Sequence, residues 1–569
     1  MTTARERLNA EMQSALEQAE DAAQNLLGAN LVLGVSPRDF LDAFRRFARV
    51  LAVNPRVVMR KELQLAGELG RILLGRSHIK PPPRDLRFRH RIWERSPYYR
   101  RVLQAWLVWR KAMFDILASA DADPRDKERA RFVLMQITEA AAPTNHPLGN
   151  PGFLDRLVKT RGRSVIKGLR NLAHDLRHNH GMPRQVDRDA FRVGKDLAAS
   201  PGAVVFRNEV CEVIQYRPAT GRVHARPVLF VPPQINKYYI VDLAPDKSFV
   251  KYAVDHGVQM FTISWRNPDR RHADWNIDTY VGAVLEAIEV VREVSGQSSI
   301  DLIGACAGGL TTIAALGYLQ ATKRLDRINS QTLLVTAVDM SQPMLLGLFA
   351  TDATMRAARR YVQRRGVIDG AEMARVFAWM RPADLVWLFV ANNYLMGNDP
   401  PAFDFLYWNN DSTRLPAGFH GDAIDVFERN PFMTPRGVKV KGRRIDPGAV
   451  DVDEFIVAGI KDHIVPWRAC YPATRILGGR KRFVLGSSGH IQAVVTPPGK
   501  RHARYYVNED YPPDPDEWLH NAGLREGSWW PEWLEWKTGG SEPDTPAPER
   551  LGSDRHPAGD LAPGYYVFT

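Results

Sequence analysis

Cysteine is scarce in this chain of 569 residues: Cys211, Cys306 and Cys470 are the whole supply. Three thiols so spaced make neither a disulfide framework nor a zinc site, which points to a reducing, cytoplasmic setting. Long apolar runs are missing too. No stretch approaches the roughly 20 apolar residues that cross a bilayer, and the opening Met-Thr-Thr-Ala-Arg-Glu-Arg lacks the apolar core of a secretory signal. The expectation is a protein that is neither secreted nor integral to a membrane. A net charge of +13 suits anionic partners or substrates. The paired arginines, such as Arg45-Arg46 and Arg359-Arg360, are however scattered among acidic residues with no nucleic-acid motif beside them. Nucleic acid is set aside as a partner.

What the chain does have is enough apolar material, 44% of residues, for more than one domain. Residues 1–200 read as mainly helical, an assembly or accessory domain without a catalytic constellation. Phe40, Phe44, Phe47 and Leu51 recur at helical spacing, as do Tyr99, Leu103, Trp106 and Arg110; these stripes read as packing faces, with the first also a candidate partner contact. From about Val204 the pattern alternates. Strand-like runs at Val204 to Tyr216 and Arg222 to Val231 flank Pro218 and Gly221, a hairpin signal. Further strands fall at Met260 to Ser264, Ile300 to Ile303, Gln331 to Val338, Phe455 to Ile460 and Arg482 to Leu485, with helices between. This predicts a parallel sheet covered on both faces, in a catalytic domain over 201–537. An insertion at about 340–444, rich in aromatics, is too long for a loop and reads as a cap. The tail, 538–569, is polar and expected to be extended, with Tyr565 to Phe568 free to dock.

The chemistry centres on Leu302-Ile303-Gly304-Ala305-Cys306-Ala307-Gly308-Gly309-Leu310. A buried strand, a Gly-x-Cys-x-Gly turn and an apolar helix make a nucleophile elbow with cysteine in the serine's place. Asp462 follows a later strand and His490 the last one. Cysteine, aspartate, histidine, each after a strand in that order, is the arrangement of α/β-hydrolases. His490 would accept the proton of Cys306 or of an attacking hydroxyl, and Asp462 would orient the imidazole. Singly, each has a plain alternative: a buried structural thiol, a turn aspartate and a loop histidine. His463 is a rival base or a supporting residue facing the cap. An oxyanion needs backbone N–H donors; Ala307 is the first candidate, and the loop Pro232 to Lys237 supplies the second, assigned to Ile235. No metal site is read from the sequence.

Several longer motifs accompany these residues: Val231-Pro232-Pro233-Gln234-Ile235-Asn236-Lys237-Tyr238-Tyr239, Ser264-Trp265-Arg266-Asn267-Pro268, Tyr407-Trp408-Asn409-Asn410-Asp411, Asp462-His463-Ile464-Val465-Pro466-Trp467 and Ser488-Gly489-His490-Ile491-Gln492. With Gly304 to Gly309 and Pro400-Pro401-Ala402-Phe403-Asp404, they closely resemble the polyhydroxyalkanoate synthases over most of the chain. The resemblance implies an α/β-hydrolase fold with an inserted cap behind a helical N-terminal domain. It implies polymerisation of 3-hydroxyacyl-coenzyme A with release of coenzyme A, without a separate cofactor. It carries the nucleophile to Cys306, the acid to Asp462 and the base to His490. Arg381, Asn236, Trp408 and His463 become candidate substrate contacts, Arg381 toward the coenzyme A side. It also implies a homodimer of the single-subunit kind, cytoplasmic and held at polyester granules. Gln234 and Gln492 resemble the medium-chain branch, which commonly has serine where Ala307 stands. A cysteine hydrolase of the same fold, a thioesterase or depolymerase using water, is the competing reading.

Overall fold

A computed structural model describes Arg45, Ala48 and residues 55–569 apart from Arg84 and Phe349. The Phe40–Phe44–Phe47–Leu51 stripe lies outside the described residues. The chain divides into two compact units. The first takes residues up to 187 together with 348–354 and 375–402; the second takes 188–347, 355–374 and 403–569. The boundary therefore falls at 187/188, earlier than the expected 200/201. The expected insertion at 340–444 is shared between the units, and the expected tail belongs to the second.

The first unit is helical. Its helices include α1 (Pro55–Leu73), α2 (Pro97–Ser119), α3 (Pro124–Ala140), α4 (Pro151–Lys159) and α5 (Arg163–His178). Proline at the first turn and a capping side chain start α2, α3 and α4: Ser96, Asp123 and Asn150 each accept from backbone N–H groups left open there. The stripe on α2 is core, since Tyr99, Leu103 and Trp106 pack with Phe88 and Trp93. Its last member, Arg110, lies over the Trp106 ring and pairs with the buried Glu139 at 3.0 Å.

The second unit is built on one mixed sheet. Its strands are β1 (Gly202–Arg207), β2 (Cys211–Tyr216), β3 (Arg222–Val231), β4 (Val258–Trp265), β5 (Ile300–Ala305), β6 (Ile328–Leu334), β7 (Asp453–Gly459), β8 (Lys481–Gly486), β9 (Arg504–Val507) and β10 (Gly523–Glu526). They lie in the order β1-β2-β4-β3-β5-β6-β7-β8-β9-β10, and a short β11 (Thr545–Pro546) pairs with β3. The run from β4 through β3, β5, β6 and β7 to β8 is parallel. It is buried nearly throughout, as parallel strands covered on both faces require. Among the covering helices are α6 (Phe249–Asp255), α7 (Ile277–Ser295), α8 (Ala307–Ala321) and α9 (Asp404–Asn410).

The expected hairpin across Pro218 and Gly221 does not form. The run Val204 to Tyr216 itself folds back, because Asn208 accepts from the N–H groups of Val210 and Cys211, both at 2.8 Å, and turns the chain there. Strand β4 then lies between β2 and β3. The tail is not a loose extension. Beyond β11, Asp560 and Gly202 carbonyls accept from Val204 and Ala562, and the Tyr566 hydroxyl donates to the Asn208 carbonyl at 2.6 Å. Tyr566 and Val567 are buried.

Candidate active site

Cys306 stands between the end of β5 and the first turn of α8, with φ 50° and ψ −119°. A side chain with Cβ is held in that left-handed region only where its surroundings fix it. Here the Cys306 N–H donates to Leu334 of β6 at 2.8 Å, and its carbonyl accepts from Gly309 and Leu310. Two glycines make the bend possible. A Cβ on Gly304 would lie 2.7 Å from the Gly309 Cα, and one on Gly308 would lie 2.6 Å from the Pro232 carbonyl oxygen. Strand, helix and the loop after β3 therefore meet at backbone distance.

Of the three thiols only that of Cys306 is partly open; Cys211 and Cys470 are buried, and burial pushes both of those thiols up from their ordinary range. Asp462 sits in the turn after β7, where its Oδ1 accepts from the Ile464 and Val465 N–H groups at 2.8 and 2.9 Å. Its Oδ2 is 2.5 Å from Nδ1 of His490, the first residue of α10 (His490–Val494). Burial alone would lower the imidazole's proton affinity. The charge and hydrogen bond of Asp462, then the contact with Cys306, overcome it and raise the pKa. Nδ1 of the ring is thus committed to the carboxylate, and Cys306 also acts on the ring. Asp339, after β6, has both carboxylate oxygens engaged by other groups. Its Oδ1 accepts from Ser341 and Asn430, and its Oδ2 accepts from Gln342.

The loop 232–237 is clamped from several directions. The Trp265 indole donates to the Pro232 carbonyl at 2.9 Å, Gln234 Nε2 donates to Thr311 Oγ1 at 2.9 Å, and Thr413 Oγ1 donates to the Gln234 carbonyl at 2.6 Å. Ala307 is the first residue of α8, and Pro232 and Pro233 carry no N–H, so Gln234 and Ile235 bear the loop's first two amides. Asn236 pairs by backbone with Ser412. Trp408 on α9 is buried, and its indole donates to the Lys237 carbonyl at 2.8 Å. It braces the loop. His463 is half-buried beside Asp462. Arg381 belongs to the first unit, where it is exposed and paired with Asp384.

Sequence reasoning missed three supports. Thr413 and Lys237 are the first two, and the buried Lys237 ammonium meets the Val567 carbonyl, with Asp411 at 3.5 Å. The third is the tryptophan-rich segment, which forms α11 (Trp530–Thr538) and the turn before it. Trp529 and Trp530 donate from their indoles to the carbonyls of Ala493 and Val494, at 2.7 and 3.2 Å, in the helix that His490 begins. The four tryptophans in eight residues were the available signal.

Two family models match: "Poly-beta-hydroxybutyrate polymerase (PhaC) N-terminus" over residues 84–253 and "alpha/beta hydrolase fold" over 236–496. A poly(3-hydroxyalkanoate) polymerase 2 of Ectopseudomonas oleovorans is 48% identical over 95% of this chain and 96% of its own length. The chain belongs to the poly(3-hydroxyalkanoate) polymerase family. A polymerase 1 of the same organism is 44% identical over 97% of this chain and 98% of its own length. The Cupriavidus necator polymerase subunit PhaC is 37% identical over 87% and 84%. In this chain the elbow carries the thiol of Cys306, and Cys306, Asp462 and His490 are the candidate working groups.

Proposed function

We propose that this enzyme polymerises (R)-3-hydroxyacyl-coenzyme A through an acyl-Cys306 intermediate. His490, oriented by Asp462, takes the proton of the Cys306 thiol. The thiolate attacks the thioester carbonyl, and the tetrahedral oxyanion is held by the Ala307 N–H and the loop amide assigned to Ile235. The intermediate collapses with loss of coenzyme A, which leaves as the thiol with a proton returned from His490. The acyl group now rests on sulfur as a thioester, close in energy to the substrate. A 3-hydroxyl then gives its proton to His490 and attacks an acyl thioester carbonyl; the C–O bond forms as the C–S bond breaks, and the departing sulfur leaves as a thiol with the proton from His490. Water has to be kept away during this exchange. The aromatic residues of 340–444 and the candidate contacts Asn236, His463 and Arg381 are assigned to shaping that space. The medium-chain preference, the homodimer and the granule location are part of the same reading.

The observation that carries it is the 2.5 Å approach of His490 Nδ1 to Asp462 beside the strained, partly open Cys306. Purified protein incubated with 3-hydroxyacyl donors of graded length tests it. The expected products are polymer and free coenzyme A, fastest with medium side chains. Free hydroxy acid with coenzyme A, and no polymer, would identify a hydrolase instead.

A further inference from the structure

Helix α5 is amphipathic with its faces reversed. Successive helix positions turn by about 100°, which sorts its residues into three arcs. Ser164, Gly168, Asn171 and Asp175 form the buried arc. Gly168 allows the helix backbone to meet the Tyr394 carbonyl. Asn171 donates to the carbonyls of Asn393 and Asn398, both at 3.0 Å. Asp175 accepts from Arg184 Nε at 2.8 Å and the Tyr394 hydroxyl at 3.0 Å. Small and polar groups thus make the inward packing, and every polar one is satisfied.

The apolar arc faces outward. Val165, Ile166, Leu169, Leu172, Ala173 and Leu176 lie along it, with Ile166 54% and Leu169 60% exposed. On α4, Val158 at 76% and Leu154 at 39% extend the patch, and Leu148, at 70%, precedes that helix. A surface of this kind on a water-facing helix marks an interaction site. The third arc carries Arg163, Lys167, Arg170 and Arg177 along the border of the apolar one. Between Asp155 and His178 seven Lys and Arg face two Asp, and one of those two, Asp175, is buried.

We propose that α4 and α5 form a docking surface for an anionic lipid interface, lying in the plane of the headgroups. An apolar arc bordered by cations is the profile of an interfacial helix, and the excess of cations selects anionic headgroups over neutral ones. A second copy of this chain is the poorer occupant, because two-fold pairing of this face sets its cations against themselves. No helix among the described residues is long and apolar enough to cross a membrane, so the contact is peripheral.

The test is co-sedimentation of the full chain with vesicles of phosphatidylglycerol or of phosphatidylcholine, at two salt concentrations. The expected result is at least tenfold tighter binding to phosphatidylglycerol, weakened by salt. Arg163→Glu with Arg170→Glu should lose that preference. Ile166→Ser with Leu169→Ser should lose binding to both vesicles, and both double variants should keep the wild-type circular dichroism and Tm. Equal binding to the two lipids would overturn the proposal, as would binding that neither double variant disturbs. So would variants that alter only the molar mass in solution, which would assign the face to a second copy.

Discussion

At the scale of single residues, the decisive group in the proposed mechanism is the imidazole of His490, which there holds a proton in one step and releases it in the next. Asp462 and Cys306 raise its pKa above the ordinary histidine range. Once Cys306 is acylated, the contribution of the thiol is gone and that of Asp462 remains. Attack by the 3-hydroxyl needs the neutral ring, so this step should quicken as pH rises through the raised pKa. Removing the carboxylate charge lowers that pKa. Asp462→Asn should therefore slow acyl-enzyme turnover by about 10²–10⁴-fold, a typical range for general acid–base catalysis, and move the acid limb of its pH profile to lower pH. Formation of the acyl-enzyme should suffer less, since a thiol ionises with less help than an alcohol. Rapid-quench measurement of both steps across pH checks this. An unshifted acid limb would remove Asp462 from its assigned role.

At the scale of elements, the helix beginning at His490 is only five residues long, too short to hold itself in place. The indoles of Trp529 and Trp530 hold its last carbonyls, and Trp529, Trp530 and Trp533 pack around Phe249. Trp529→Phe keeps an aromatic ring in the core and deletes the bond to Ala493. It should cost about 1 kcal/mol of stability and lower the rate of the His490-dependent step more than it lowers substrate affinity. Thermal unfolding with a kcat and KM comparison would show this, and an unchanged kcat would limit the tryptophan to packing.

A second element carries an opposite kind of tension. Glu454, near the start of β7, is wholly buried between Gln331 and Lys481 in register, and neither carboxyl oxygen has a hydrogen-bond partner. Burial raises its pKa well above the ordinary carboxyl value. The folded state therefore favours the neutral acid. The stability tied to it is full below the unfolded pKa, near 4.3 for glutamate, and is lost as pH rises toward the folded value. Glu454→Gln should raise Tm at pH 8 and change it little near pH 4. A variant less stable than wild type at pH 8 would contradict this.

These elements also show what could be read without coordinates. The elbow, the aspartate turn and the histidine each lie within a few residues of a strand end, so local pattern located them. The strand order was not local. Tyr216 and Arg222 are joined by a convincing turn, yet β4 separates their strands, because pairing is decided by partners distant in sequence. Trp408 stood in a family motif that gave no sign of its indole bracing the loop after β3. Its burial was invisible in the motif. Helix α5 shows the limit most plainly: nothing in its sequence period says which face is buried, and its small and polar residues take that place.

At the scale of the whole molecule, the second unit brings together segments spread along most of its length. The loop after β3, the elbow after β5, the turn after β7, the helix after β8 and residues 566–569 each touch one of the others around Cys306 or Lys237. The proposed polymerisation depends on one covalent bond, between an acyl group and Cys306. Rapid quenching of the protein with a 3-hydroxyacyl-coenzyme A donor, followed by peptide mass spectrometry, measures it. The predicted result is the acyl mass on the peptide containing Cys306, present also in Cys211→Ala and Cys470→Ala and absent in Cys306→Ala, which should release no coenzyme A. Coenzyme A release at the wild-type rate by Cys306→Ala, or an acyl group carried on a different residue, would contradict it.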